Sequence, residues 1–252
     1  MLILKEIFQN FLLGIPSIKH LAWKRHTTGI NNDPEKATVL WDQVTAITSI
    51  KDKTVLEIGP GRTDALLYLA QNSFADQVFA LDVYPYLDAN KLVEKGVSYY
   101  LYDGKQMPFN DETFDLIWSN DTFEHLKHPA ITVSELSRIL KKDGIAIINI
   151  DLSDHYSQGK AERDLFNCLK YPEWLWKLMT SNRSAFVNRL RYSGWMKLFA
   201  DAGLEVTHQN ISQSKEILKC YHNKELAYLQ NISEIDAITF YLSVCIKKPC
   251  DS

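Results

Sequence analysis

The sequence predicts an α/β fold: a doubly wound, mostly parallel sheet of seven strands with helices on both faces, preceded by a helical extension and carrying a helical lid insertion. Three observations carry this. Between residues 54 and 150, short apolar runs alternate with longer amphipathic stretches. The first run opens into a bend holding Gly59 and Gly61. Three acids, Glu57, Asp82 and Asp103, stand where the first three runs end. Ligands of such sheets gather beyond the carboxyl ends of the strands, which is where chemistry-bearing residues belong.

The elements follow in order. Leu4, Ile7, Phe8, Phe11 and Leu12 recur at helical spacing, predicting an N-terminal helix that lays its apolar face on the domain or over its ligand. Lys5, Glu6, Gln9 and Asn10 break that run and no small-residue cleavage site follows, so no export signal is expected. No stretch approaches the roughly 18 apolar residues of a spanning helix. Residues 54–58, 77–81, 97–102, 114–119, 144–150, 204–207 and 238–246 read as strands, and 64–70, 89–94, 129–140 and 192–202 as helices. Pro129 suits a first helical turn, where its missing N–H costs nothing, and Gly203 suits a helix end. The alternation breaks at 152–189, a segment rich in aromatics. The expected organisation is an extension over 1–50 packed on the core, then a domain over 51–252 with the insertion inside it.

Composition narrows the class. The chain has 252 residues, 28 Lys and Arg against 31 Asp and Glu, and a net charge of -3. A nucleic-acid partner is not expected, since phosphate neutralisation demands a basic surplus or stripe. Cys168, Cys220, Cys245 and Cys250 form no Cys-x-x-Cys pair and read as reduced thiols of a cytoplasmic protein. His20, His26, His208 and His222 read as surface residues, and His128 as a helix-start residue.

The bend runs Glu57-Ile58-Gly59-Pro60-Gly61-Arg62-Thr63-Asp64. A dinucleotide site would continue to a third glycine and set a pyrophosphate on the helix N-terminus. Here Asp64 holds that position. Its carboxylate repels phosphate but suits helix capping. With Glu57 at the strand end, the loop suits a cationic ligand without phosphate.

The segments VLEIGPGRTDALLYLA, FALDV, DGKQMPFNDETFDLIWSNDTFEHLKHP and ELSRILKKDGIAIINI cover about residues 54–150. In them the chain resembles the class I S-adenosylmethionine-dependent methyltransferases, whose sheet is Rossmann-like, and especially the small-molecule "methyltransferase domain 11" group. The resemblance implies Gly59 and Gly61 at the methionine end and Asp82, with Val83 beside it, on the ribose. It implies Asp103 and Gly104 near adenine, and Ser119 and Asn120 lining the pocket. Met107 and Phe109 are placed to flank the adenine ring. Thr63 departs from the family's last loop glycine.

The sulfonium methyl is already activated, so the enzyme must align an acceptor and, for a hydroxyl, remove its proton. Asp121, Glu124 and His125 form D-x-x-E-H, which one helical turn would converge, fit for Mg²⁺, Mn²⁺ or Zn²⁺. The pattern resembles the E-x-x-E-H element of metal-assisted O-methyltransferases of ubiquinone biosynthesis and small-RNA end methylation, to which His155 would correspond as a further ligand. The alternatives are His125 or His155 as a metal-free base, or residues that only shape the pocket. Tyr171, Trp174 and Trp176 either cover the acceptor or form the insertion's own core. The run Asn188-Arg189-Leu190-Arg191-Tyr192 is similar to a segment of bacterial methyltransferases of polysaccharide and secondary-metabolite pathways. The expected partner is thus a small, hydroxylated, sugar-like acceptor, and a homodimer is compatible with the sequence. The competing readings are a non-catalytic cofactor-binding or interaction module, a nicotinamide-dependent oxidoreductase, and a methyltransferase acting on a protein.

Overall fold

The computed structural model describes residues 3–25, 34–156, 161–183 and 186–249. Three helices come first, Ile3–Leu13 (α1), Pro16–Arg25 (α2) and Pro34–Ile47 (α3). The alternating region follows as Thr54–Ile58 (β1), Ala65–Asn72 (α4), Gln77–Asp82 (β2), Ala89–Glu94 (α5), Val97–Leu101 (β3), Phe114–Asn120 (β4), Pro129–Ile139 (α6) and Leu140–Asp151 (β5). Then come Glu173–Thr180 (α7), Tyr192–Asp201 (α8), Glu205–Gln213 (β6), Lys215–His222 (α9), Glu234–Ile238 (α10) and Thr239–Lys247 (β7).

The seven strands lie in the order β3-β2-β1-β4-β5-β7-β6, a Rossmann-like sheet with helices on both sides. Every pairing from β3 to β5 is parallel, with Thr54 opposite Gln77 and Val55 opposite Leu116. Central β1 is buried on both faces, which is why it reads as an apolar run interrupted only by the buried Glu57. Edge strand β3 loses burial toward its end, and β6 is exposed along most of its length. The strand order reverses between β1 and β4, and the bend after β1 opens there.

Two units divide the chain. One comprises Gly29–Ile150, Trp195–Asn210 and Ser243–Ser252, the other Met1–Thr28, Asp151–Gly194 and Ile211–Leu242. The first holds the alternating strands and helices around Val55, Leu67, Val78, Leu116 and Trp118. The second has two cores of its own, one around Phe166, Ile217 and Leu229, the other around Cys168, Trp176 and Met179. Trp176 is 1% exposed and Tyr171 stacks on it at 6.3 Å, so these two aromatics build the insertion's own core, while Trp174 is 67% exposed. In the same unit the buried Arg191 guanidinium donates to the carbonyls of Leu152, Asp236 and Thr239 and lies 4.4 Å over the Phe166 ring.

The N-terminal helix forms as its periodicity predicts, but most of its apolar stripe faces outward: of its five residues Ile7 packs on the core, while Leu4, Phe8 and Phe11 are exposed. The side of α1 that packs, against α7 and the residues following it, carries the polar Glu6 and Asn10 together with Ile7, which lies against the core around Cys168, Trp176 and Met179. Asn10, 4% exposed, donates to the Leu178 carbonyl at 2.9 Å and accepts from the Asn182 N–H at 2.7 Å. Glu6 pairs with Arg183 at 2.6 Å. Leu4, Phe8 and Phe11, expected to face inward, are 78%, 62% and 69% exposed. Periodicity locates an apolar stripe and cannot tell which side of the helix faces the protein. Cys168, Cys220 and Cys245 are free and buried, whereas Cys250 and His26, like the His20 side chain, lie outside the described residues.

Candidate functional site

The site grows from the bend after β1. Gly59 has φ +74, and a Cβ there would overlap the Thr122 side chain, so both the backbone angle and the space demand glycine. The Thr122 hydroxyl hydrogen-bonds the Gly59 and Asn120 carbonyls, each at 3.1 Å, tying the bend to the end of β4. Gly61 also has positive φ (63°), and its N–H donates to Asp82 Oδ2 at 3.2 Å. Asp82 Oδ1 accepts from the N–H groups of Val83 and Tyr84 at 2.7 and 3.2 Å. Asp82 therefore locks the bend to the end of β2.

Two buried acids face this bend. Glu57 is 4% exposed and Asp82 6%. Burial pushes the Glu57 carboxyl up to about 8; the Trp118 side chain opposes this, and the charges of Asp82 and Asp64 add to it. Burial likewise raises Asp82 to about 6, against the pull of its three backbone donors. Glu57 Oε2 is buried and has no hydrogen-bond partner among the described residues. A paired set of desolvated acids with an unfilled acceptor favours a ligand that brings a positive charge and hydrogen-bond donors.

Other expected binding residues hold varied positions. Asp103 is fully exposed and its Oδ1 accepts from the N–H groups of Lys105 and Gln106 at 2.9 and 3.1 Å, bonds that hold its carboxyl below the ordinary value. Gly104 (φ +81) follows it, and a Cβ there would meet the Val83 side chain only at ordinary contact distance, so the positive φ rather than space calls for glycine. Met107 is 1% exposed, and its N–H donates to Glu135 Oε2 at 2.8 Å. Phe109 belongs to an aromatic cluster with Phe79, Tyr100 and Phe114, its ring centroid 4.8 Å from that of Phe114. The fully buried Ser119 hydroxyl donates to the Ile58 carbonyl at 2.7 Å, bracing β4 against β1. Asp64 sits at the N-cap of α4 but makes no side-chain cap bond; its carboxylate pairs with Lys95 at 2.6 Å instead.

Asn120 leads to a network that sequence reasoning missed. Its Oδ1 accepts from Asn149 Nδ2 at 2.7 Å, Asn149 also bonds Gln43 of α3, and Gln43 reaches Ser243 Oγ at 2.6 Å. The signal available was Asn149 itself, a lone amide within the apolar run of β5, because a buried amide needs partners.

The D-x-x-E-H segment does not form one helical turn. β4 runs on through Asn120, and Asp121 takes φ +48 with its N–H bonded to the Asn149 carbonyl at 3.0 Å. Only Phe123–His125 then coil, as a 3-10 turn. Asp121 stands before that turn, and among the described residues its carboxylate does not join Glu124 and His125 in a three-ligand cluster. Glu124 is buried, and His125 Nε2 lies 3.9 Å from its Oε1. In the other unit His155 Nε2 lies 3.3 Å from Asp151 Oδ2. Burial would raise the Asp151 carboxyl, but hydrogen bonds from His155 and Ser153 outweigh it and hold it below its ordinary value. His128 stands at the start of α6, His208 is exposed, and His222 pairs with Glu234 on the surface at 2.6 Å.

Residues 56–148 match a protein-family model described as a methyltransferase domain. A rice protein named "Probable tocopherol O-methyltransferase, chloroplastic" is 32% identical over 96 residues, 35% of this chain and 26% of that protein. The Arabidopsis thaliana tocopherol O-methyltransferase is 30% identical over 105 residues, 39% of this chain and 30% of that protein. The aligned segment thus spans between a quarter and a third of these relatives. The S-adenosylmethionine-dependent methyltransferase of Mesorhizobium loti has a similar fold, with TM-score 0.56, 13% identity and coverage of 82% of this chain and 96% of that one.

Proposed function

Starting from a chain that carries a class I S-adenosylmethionine-dependent methyltransferase domain, we propose that it transfers the methyl group to an oxygen of a small hydroxylated, sugar-like or ring-bearing acceptor. The observation that carries this reading is the bend of Gly59 and Gly61 flanked by the buried acids Glu57 and Asp82. When bound, S-adenosylmethionine supplies a methyl group on a cationic sulfur. Glu57, with its unfilled buried oxygen, receives the ligand's ammonium. Asp82 keeps lone pairs for ribose hydroxyls beyond its three backbone bonds. Val83 is assigned to the ribose beside Asp82, Asp103, Gly104 and Met107 to the adenine side, and Asn120 to the pocket wall, which the fully buried Ser119 braces from behind. Oxygen as the acceptor atom is supported by the names of the two plant relatives.

His125 is the group assigned to take the acceptor proton, and His155, steadied by Asp151, is the second candidate base. A divalent ion such as Mg²⁺ on Asp121, Glu124 and His125 does not fit the geometry, because Asp121 stands apart from the turn. We therefore derive no step through a metal. Nothing in the described residues favours an interaction module or a nicotinamide enzyme over this reading, as Asp64 and Thr63 occupy the bend where pyrophosphate would sit.

Two measurements test the proposal. By titration calorimetry, Asp82→Ala is expected to weaken S-adenosylmethionine binding by about 1–3 kcal/mol, roughly 5- to 150-fold, because paired polar contacts are lost. Unchanged affinity would remove Asp82 from the ribose. His125→Ala is expected to lower kcat by about 10²–10⁴ with cofactor affinity retained. Full turnover in that variant would leave His125 a scaffold residue.

A further inference from the structure

From the exposed apolar stripe of helix α1 we infer that this chain docks on an anionic membrane surface through its N-terminal helices. A helix of a water-soluble protein buries its apolar stripe and exposes its polar one. In α1 the polar residues Glu6, Gln9 and Asn10 are spent on Arg183, Leu178, Ser181 and Asn182, and Ile7 packs on the core around Trp176, so the helix is anchored by hydrogen bonds, an ion pair and one apolar contact. What it presents outward is Leu4, Phe8 and Phe11, positions i, i+4 and i+7 of one stripe, and the stripe continues into exposed Ile15 after the helix. Helix α7, which packs against α1, adds exposed Trp174 and Leu178 one turn apart. Phe, Leu and Trp side chains standing in water are the composition of helices that lie in the bilayer interface.

Charge selects the occupant. Between Glu6 and Asp33 the sequence holds no acidic residue, while Lys19, Lys24 and Arg25 fall in that interval and Lys5 precedes it. Glu6 itself is turned inward against Arg183, so it does not offset these cations. Lys177 of α7 is exposed but pairs with Glu173 at 3.3 Å, so α7 contributes apolar surface and no net charge of its own. Among the described residues, no helix is long and apolar enough to cross a membrane, so contact is in the interface plane. A segment with no acid between Glu6 and Asp33, carrying Lys19, Lys24 and Arg25 in its sequence beside an exposed apolar stripe, matches an anionic phospholipid surface better than a second copy bearing the same positive charge.

Vesicle flotation of the full chain tests this. Vesicles of phosphatidylcholine with 30% phosphatidylglycerol should carry the protein upward, pure phosphatidylcholine should carry at least fivefold less, and 0.5 M NaCl should reduce the bound fraction severalfold. Phe8→Glu with Phe11→Glu should cut binding at least tenfold while leaving the thermal midpoint and S-adenosylmethionine affinity unchanged, since neither side chain is buried. A milder variant, Phe8→Ser, should give an intermediate loss. No flotation with anionic vesicles would overturn the proposal. So would a dimer in solution that Phe8→Glu converts to monomer, which would assign the stripe to a second copy.

Discussion

Glu57→Gln is expected to remove most of the pH dependence of stability between pH 5 and 8. The wild-type carboxyl has an unfolded value near 4.5 and is pushed to about 8 in the fold by burial. A group raised in this way gives its full stabilisation below pH 4.5, where both states are protonated, and loses it as pH climbs to 8. Over that window the loss is about 5 kcal/mol at most, at roughly 1.4 kcal/mol per unit. Asp82, raised to about 6, acts in the same direction over a narrower range, and Asp64 and Trp118 are the other groups bearing on Glu57. Glutamine cannot ionise, so the variant should match the wild type near pH 5 and exceed it in thermal midpoint at pH 8. The same change should erase the rise of S-adenosylmethionine affinity with pH, because a cationic ligand binds the ionised form of Glu57. Parallel melting curves for the two proteins across this range would refute the assignment.

Arg191→Ala should be the most damaging single change in the second unit. The guanidinium is buried, which lowers it to about 10, and it serves three carbonyls at once, two of them at 2.6 and 2.8 Å. Truncation strands those carbonyls and leaves an empty volume beside Phe166. The expected cost is about 3–5 kcal/mol, read as a fall of roughly 6–20 °C in midpoint by circular dichroism. Arg191→Lys retains the charge but not the planar fork and should recover only part of the loss. A loss below about 1 kcal/mol would mean that water or a rearranged chain replaces the fork.

Several features of the fold are plain in the residues. β1, β2, β3 and α5 stand where the alternation of apolar runs places them, within a residue or so at each end; for β1 and β2 this is because buried parallel strands have no polar face to blur the signal. β5 is longer than expected, since Leu140 already pairs with Phe114 ahead of an irregular stretch in which Asp143 takes φ 61 before the regular pairing resumes at Ile145. β6 extends to Gln213, six residues past its expected end, because an edge strand is held by main-chain bonds and its side chains need no apolar pattern. α9 and α10 lie outside the helices that the residue pattern predicts. Ser233, with Asp236 three residues on, was a capping signal that could have found the second, and the Ser233 side chain does cap that helix.

At the candidate site the legible part is local. Gly59, Gly61, Glu57 and Asp82 are recognisable because a sharp bend after a strand needs glycine and because acids at adjacent strand ends are brought side by side by parallel register alone. Where each side chain spends its hydrogen bonds is another matter. That Ser119 braces β1, that Asp121 leaves the turn of Glu124 and His125, and that Gln43 of α3 meets Asn149 all depend on residues far apart in the chain. The orientation of α1 belongs to the same class. A 3.6-residue period reveals a stripe, but whether Leu4 and Phe8 or Glu6 and Asn10 face the protein was decided by polar partners offered by α7, Asn182 and Arg183. Periodicity and bend chemistry act through neighbours within a few residues and so can be read along one dimension. Burial and pairing are properties of the assembled chain, and only the packed molecule determines them.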